Sequence, residues 1–261
     1  MNKELIFIVS FLLLFSVIFT VDANEQFEKP KWHEGDYWKY ETIERETASD
    51  LMIEAKQMTN LNINGIDVNV RIVTHHTDYD DSSFPFGIDN VLYYNESDMS
   101  IVKLIYESSD TRAETIFSSP FLEFDYPIYV GKEWEVHTKA TVTSIEDTDE
   151  GYIHRYNQVT GVTDVNTKAG FFRCYIVKSW GDEIGEVDEY TLYYISEEVG
   201  QPPVMVEGYE FGERYSIRKL VEFKYAKLSD SSFINDDTPG FEVVLLVIAL
   251  ISLIMIVRKK S

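Results

Sequence analysis

Cysteine is almost absent from this 261-residue chain: Cys174 stands alone, so no intramolecular disulfide can form. It lies in the strand-like run Phe171-Phe172-Arg173-Cys174-Tyr175-Ile176-Val177, without a histidine beside it, and reads as a buried, inert thiol. Positive charge is scarce too, with 23 Lys and Arg against 45 Asp and Glu. That balance excludes nucleic acid as a partner, because phosphates need cationic neutralisation. It also disfavours electrostatic adhesion to anionic lipid head groups. No P-loop, dinucleotide fingerprint or Gly-x-Ser-x-Gly nucleophile word occurs, so neither a cofactor nor an enzyme is expected. The body shows no sustained helical period, and long uncharged apolar runs are confined to its two ends.

The first end has Lys3, an apolar stretch from Leu5 to Val21, and Val21-Asp22-Ala23 before polar Asn24. This is the pattern of a secretory signal peptide over residues 1–23, with an uncleaved anchor helix as the alternative. At the other end an apolar run follows Glu242, and Arg258-Lys259-Lys260-Ser261 come last. Residues 241–257 would span roughly 25 Å as a helix, at about 1.5 Å per residue, the short limit for a bilayer core. Basic residues on its C-terminal side alone place that tip in the cytoplasm and the body on the extracellular side of the cell membrane. Residues 229–238 read as a flexible polar stalk.

The order of acidic spacer, Pro239-Gly240-Phe241, apolar helix and basic tip resembles the PGF C-terminal sorting signal of archaeal surface proteins. The resemblance covers about residues 236–261. It implies processing by an archaeosortase-type enzyme that removes the tail and attaches a prenyl-type lipid anchor, leaving no transmembrane helix. Glu242 departs from the small or apolar residue usual after the motif. Retention as a single-pass helix is the alternative, with the same topology.

Three of the acidic residues (Glu4, Asp22, Glu242) and four of the basic ones (Lys3, Arg258, Lys259, Lys260) fall in the end segments. The body from 24 to 238 therefore carries 42 acids against 19 bases, or −23. Screening in a salty exterior relieves such self-repulsion. Period-two alternation runs through this body. Ile66, Val68, Val70 and Ile72 share one face, Trp134, Val136, Ala140 and Val142 another, and Tyr215, Ile217, Val221 and Phe223 a third. The expected fold is all-β and antiparallel.

The body also repeats itself. Gly35-Asp36-Tyr37-Trp38 recurs as Gly131-Lys132-Glu133-Trp134, Gly65 matches Gly161, and Val91-Leu92-Tyr93-Tyr94 matches Thr191-Leu192-Tyr193-Tyr194. We therefore expect two related, half-barrel-like curved sheets, residues 24–118 and 119–228, either as closely packed lobes, which the short connection through Ser118-Ser119-Pro120 and Asp125-Tyr126-Pro127 favours, or as one continuous curved sheet. The second copy carries a further resemblance, on Pro127-Ile128-Tyr129-Val130-Gly131-Lys132-Glu133-Trp134, Ala169-Gly170-Phe171-Phe172 and Tyr194-Ile195-Ser196-Glu197-Glu198-Val199-Gly200. It is similar to prokaryotic envelope proteins with curved sheets like those of lipoprotein carriers, which implies no catalytic residues.

Few residues offer chemistry. Trp38, Trp134, Tyr94 and Tyr194 are candidates to line a concave apolar cavity for a hydrophobic ligand, with a filled core as the alternative. Asp78, Asp80 and Asp81, after His75-His76, form a weak candidate Ca²⁺ site or simply a polar loop. Asn95-Glu96-Ser97 is a glycosylation sequon. The sequence thus points to a membrane-anchored surface protein that binds or builds, with envelope or S-layer proteins as partners. A lipid carrier is the second reading and a surface-glycan hydrolase the third.

Overall fold

Alternation becomes strand throughout the residues described by the structure, a computed structural model covering 26–45, 47–63, 65–79, 88–108, 111–145, 147–181 and 189–225. The strands are β1 (Tyr37–Glu44), β2 (Thr47–Ile63), β3 (Ile66–Tyr79), β4 (Ile88–Asn95), β5 (Ile101–Glu107) and β6 (Arg112–Phe121). They continue as β7 (Glu133–Ser144), β8 (Thr148–Thr167), β9 (Gly170–Gly181), β10 (Tyr190–Ser196), β11 (Gly200–Glu210) and β12 (Glu213–Lys224). Each pairs antiparallel with the next, and β12 pairs with β1, so the sheet closes into a twelve-stranded barrel. All of these residues belong to one compact unit that ends at Lys227. The signal segment, the stalk, the Pro239-Gly240-Phe241 motif and both expected terminal helices lie outside the described residues. Among the described residues no helix is long and apolar enough to cross a membrane.

The all-β expectation holds, and β1–β6 and β7–β12 are continuous in one closed sheet rather than standing as separate lobes. One barrel forms instead, because β6 and β7 pair through Ala113–Ser144 to Phe117–Ala140 as continuously as any other neighbours. Ser118, Ser119 and Pro120, expected as a connection, lie inside β6. Closure leaves no strand edge exposed, which removes the usual route to edge-to-edge association.

The antiparallel order gives the barrel two distinct ends. At the lower end the chain enters β1 and leaves β12; Tyr37 and Lys224 are paired there. At the upper end Arg45 follows β1 with its N–H donating to Tyr215 O at 2.7 Å. Two non-strand segments fill the lower lumen. Residues 26–36 bring in Phe27 and Trp32, and residues 122–132 bring in Phe124 and Ile128, all buried. Phe27 and Ile128 exchange both backbone hydrogen bonds at 2.8 Å, tying the two segments together.

The repeated Gly-x-x-Trp word marks a repeated backbone geometry. Gly35 N–H donates to Ala55 O at 2.9 Å and Ala55 N–H to Asp36 O at 2.8 Å; Gly131 N–H donates to Val159 O at 2.9 Å and Val159 N–H to Lys132 O at 2.8 Å. Both glycines are left-handed, at φ 87° and 88°, a conformation that glycine adopts without a Cβ clash. Ladder irregularities follow Ala55 in β2 and Val159 in β8. Gly65 and Gly161, by contrast, are not equivalent. Gly65 lies between β2 and β3, whereas Gly161 is inside β8, and Gly170 opens the strand after the corresponding turn.

Candidate functional site

The four aromatic candidates do not line one cavity: Trp38 and Tyr94 share a core cluster against which Tyr194 packs, and Trp134 lies in another. Trp38 is wholly buried, its Nε1–H donating to Val199 O at 2.9 Å, and Tyr94 is buried with its ring edge-on to Trp32 at 5.0 Å. Trp134 belongs to a second core cluster, around Phe124, Ile128 and Val177. Tyr194 is on the other face of β10 from Tyr193, and its hydroxyl donates to Glu207 Oε2 at 2.8 Å, beside the exposed Arg214. The mismatch with Tyr94 is one of register: Asn95 and Ser196 each end their strands at a turn, so Tyr94 corresponds to Ile195 and Leu92 to Tyr193. A slip of one residue exchanges faces.

Of the acidic candidates, Asp78 is exposed and its carboxylate meets His76 Nε2 at 3.1 Å, while Asp89 contacts the other ring nitrogen. Asp80 and Asp81 lie outside the described residues. Among the described residues no three His, Cys, Asp or Glu side chains converge as a metal-ligand set. Asn95 Oδ1 accepts from Ser97 N–H at 3.1 Å and Ser97 Oγ–H at 2.9 Å, holding the sequon in a turn. Burial pushes the Cys174 thiol up to about 12, which keeps it protonated and inert.

A different group of side chains comes together inside the barrel. Val159, Val177, Tyr193, Val206, Arg218 and Thr42 are successive partners across β8, β9, β10, β11, β12 and β1, and so share the inward face. One row higher come Asn157, Ser179, Thr191, Gly208 and Ser216. The lumen therefore changes from aromatic below to polar above. Arg218 reaches the inward face because the β1–β12 ladder is irregular between Lys39 and Tyr40, where Tyr40 pairs with Leu220 rather than Val221. Leu220, Arg218 and Ser216 point in as a result, instead of the expected Tyr215, Ile217 and Val221.

Glu123 enters this region from the 122–132 segment. With Arg155, Asn157, Ser179, Tyr193 and Phe121 it lines a narrow cleft, nowhere wide enough for a free water. Arg155 lies 5.6 Å over the Phe121 ring, in the same cleft as Tyr193, and it stays solvent-exposed. Gln201, which is buried, accepts from Tyr126 Oη–H at 3.1 Å and holds Glu123 Oε2 at 3.5 Å.

Charge and burial compete here. Burial raises the Glu123 carboxyl above the ordinary carboxylate range, while Arg155, the Gln201 hydrogen bond and Arg218 pull it back. Burial and then the Glu123 charge push Tyr193 up to about 12. His75 also faces inward, opposite Ile53. Its ring keeps some accessible surface but sits deep in the barrel, and burial, assisted by Arg218, lowers it to about 3. Chemically this is a set of fixed donors around one reluctant carboxyl.

No protein-family model matches the chain, and no curated protein does. Among solved structures it is similar to a candidate lipoprotein of Parabacteroides distasonis ATCC 8503, at 15% identity and TM-score 0.40, over 76% of this chain and 99% of that one. It is similar also to a candidate exported protein of Bacteroides fragilis NCTC 9343 with a YmcC-like fold, at 13% identity and TM-score 0.42, over 77% of this chain and 100% of that one.

Proposed function

We propose that this protein is a non-enzymatic binding module of the archaeal cell surface, exported and held at the membrane by its C-terminal segment. The observation that carries the binding role is the polar upper lumen, a concave set of donors on a closed barrel braced from below by Phe124, Ile128 and Trp32. Preorganised polar groups on rigid strands suit recognition, since little ordering remains to be done on binding. Export and anchoring rest on the signal-like residues 1–23, the Pro239-Gly240-Phe241 motif and the basic tip. An archaeosortase-type enzyme would be the processing partner, and envelope or S-layer proteins the neighbours.

The intact mass of the mature protein tests the anchoring. Exchange of the tail for lipid predicts loss of residues 1–23 and of the apolar segment after Pro239, with added prenyl-type mass. A full-length C-terminus ending in Ser261 would replace that reading with a retained helix. Proteolysis of intact cells tests the topology: the barrel must be cut from outside, and its protection would overturn the surface assignment.

A further inference from the structure

We propose that the outer wall of the barrel binds one divalent transition-metal ion, of the zinc and copper class, between His137 of β7 and His154 of β8. The site lies on the opposite face of the sheet from the lumen. It goes beyond the binding role argued above and does not depend on it.

Alternation along β7 sets the position. Trp134, Val136 and Thr138 are buried and face inward, so Glu135 and His137 between them face out and are exposed. His154 is the direct partner of His137 across the β7–β8 ladder, which runs from Glu133–Gln158 to Thr143–Thr148 without irregularity. From β6, Ser119 Oγ–H donates to His137 O at 3.2 Å, which fixes the strand at this rung. Of the five histidines in the chain, two therefore stand face to face on a rigid wall. Their ring centres are 5.3 Å apart, with the planes tilted by 50° rather than stacked. Two imidazoles on one tetrahedral zinc, at Zn–N of about 2.0–2.1 Å, hold their ring centres about 5 Å apart. The backbone thus presents the pair at the spacing a shared ion requires, and only a turn of the two rings is left to ion binding.

The surroundings favour a cation. Glu135 Oε2 is 3.6 Å from His154 Nε2, which sets a carboxylate beside the pair. Lys139, on the neighbouring rung, is engaged by Glu150 at 2.7 Å, so its charge is offset locally. The net charge of −22 gathers cations of every kind at the surface, but diffusely. A nitrogen pair discriminates among them, because imidazole suits zinc, copper and nickel, whereas calcium and magnesium take oxygen shells. With two protein ligands, the remaining coordination positions fall to water. That agrees with the absence, among the described residues, of a converging set of three ligands.

The test is isothermal calorimetry of the full-length, chelator-treated protein with zinc chloride in a non-coordinating buffer above pH 7, since imidazole ligates in its neutral form. One saturable site, tighter for zinc than for calcium, is expected. Copper(II) should bind more tightly still, and electron paramagnetic resonance of that form should show two nitrogen donors. His137→Gln and His154→Gln should each weaken zinc binding by at least about tenfold, the lower end of what losing even an outer-shell partner costs. His76→Gln, which removes the outward histidine held by Asp78 and Asp89, should leave it unchanged. Zinc binding no tighter than calcium binding in wild type overturns the proposal without reference to any variant. Zinc binding that persists in the His137→Gln/His154→Gln double variant, with far-UV circular dichroism showing the barrel intact, overturns it as well, and so does its loss in His76→Gln alone.

Discussion

His75 shows how position sets the behaviour of a side chain more than identity does. Its neighbour His76 faces outward, and the hydrogen bond to Asp89 raises its pKa; His75 faces the lumen, and burial lowers it to about 3. The unfolded chain would protonate His75 near its ordinary value of about 6.5. The stability tied to its neutral form is therefore complete above that value and is lost as pH falls from about 6.5 towards 3. The slope is at most about 1.4 kcal/mol per pH unit for one group. Urea unfolding at pH 7 and pH 5 should show a larger loss for wild type than for His75→Gln, by up to about 2 kcal/mol. Identical losses would show that the acid sensitivity comes from other groups. A second residue-scale outcome concerns Gly208, where an added Cβ would meet Ser216 Oγ at 2.4 Å and the Tyr215 ring at 2.7 Å. Gly208→Ala should lower stability by about 1–3 kcal/mol, as overpacking does, read from the same urea midpoints.

At the scale of elements, the strands were legible and their inward faces only partly so. The Gly-x-x-Trp words located the entries to β1 and β7 and placed Trp38 and Trp134 inward, because alternation is strict over the short strands that follow. Alternation fails where a ladder slips. The irregularity opposite Val221 hid Arg218, and matching Leu92-Tyr93-Tyr94 to Leu192-Tyr193-Tyr194 by letters pointed to Tyr194 when Tyr193 faces the lumen. Glu123 was legible only as an isolated charge in Phe121-Leu122-Glu123-Phe124; nothing local announces that a connecting segment enters a barrel. The repeated turn geometry gives a paired prediction. Gly35→Ala and Gly131→Ala should each cost about 1–2 kcal/mol of left-handed strain, and by similar amounts, since an added Cβ meets nothing at either site. Unequal costs would mean that the shared hydrogen bonds do not confer shared rigidity. Phe124→Ala, which removes the ring packed edge-on to Tyr193 at 5.5 Å, should cost about 3–5 kcal/mol in chemical denaturation.

For the whole molecule the dominant quantity is charge. A formal charge of −22 on 261 residues places many carboxylates within a Debye length of one another, and the exposed ion pairs that offset them are individually weak. Stability should therefore rise as sodium chloride is increased from low concentration to about 1 M, most steeply in the first few tenths, as screening shortens its range. Thermal unfolding midpoints in a chloride series check this, and a flat or falling series would show that favourable ion pairs outweigh the net repulsion. The same charge underlies the expectation, from composition alone, that nucleic acid is not a partner.

Parity has a last consequence. An up-and-down barrel with an even number of strands returns the chain to the side from which it set out, and here Tyr37 and Lys224 sit paired at that side. Both ends of the ladder thus lie on the side closed by Phe124, Ile128 and Trp32, and the polar row of Asn157, Ser179, Thr191 and Ser216 lies towards the other side. An odd strand count would have put the two ends of the chain on opposite sides of the barrel.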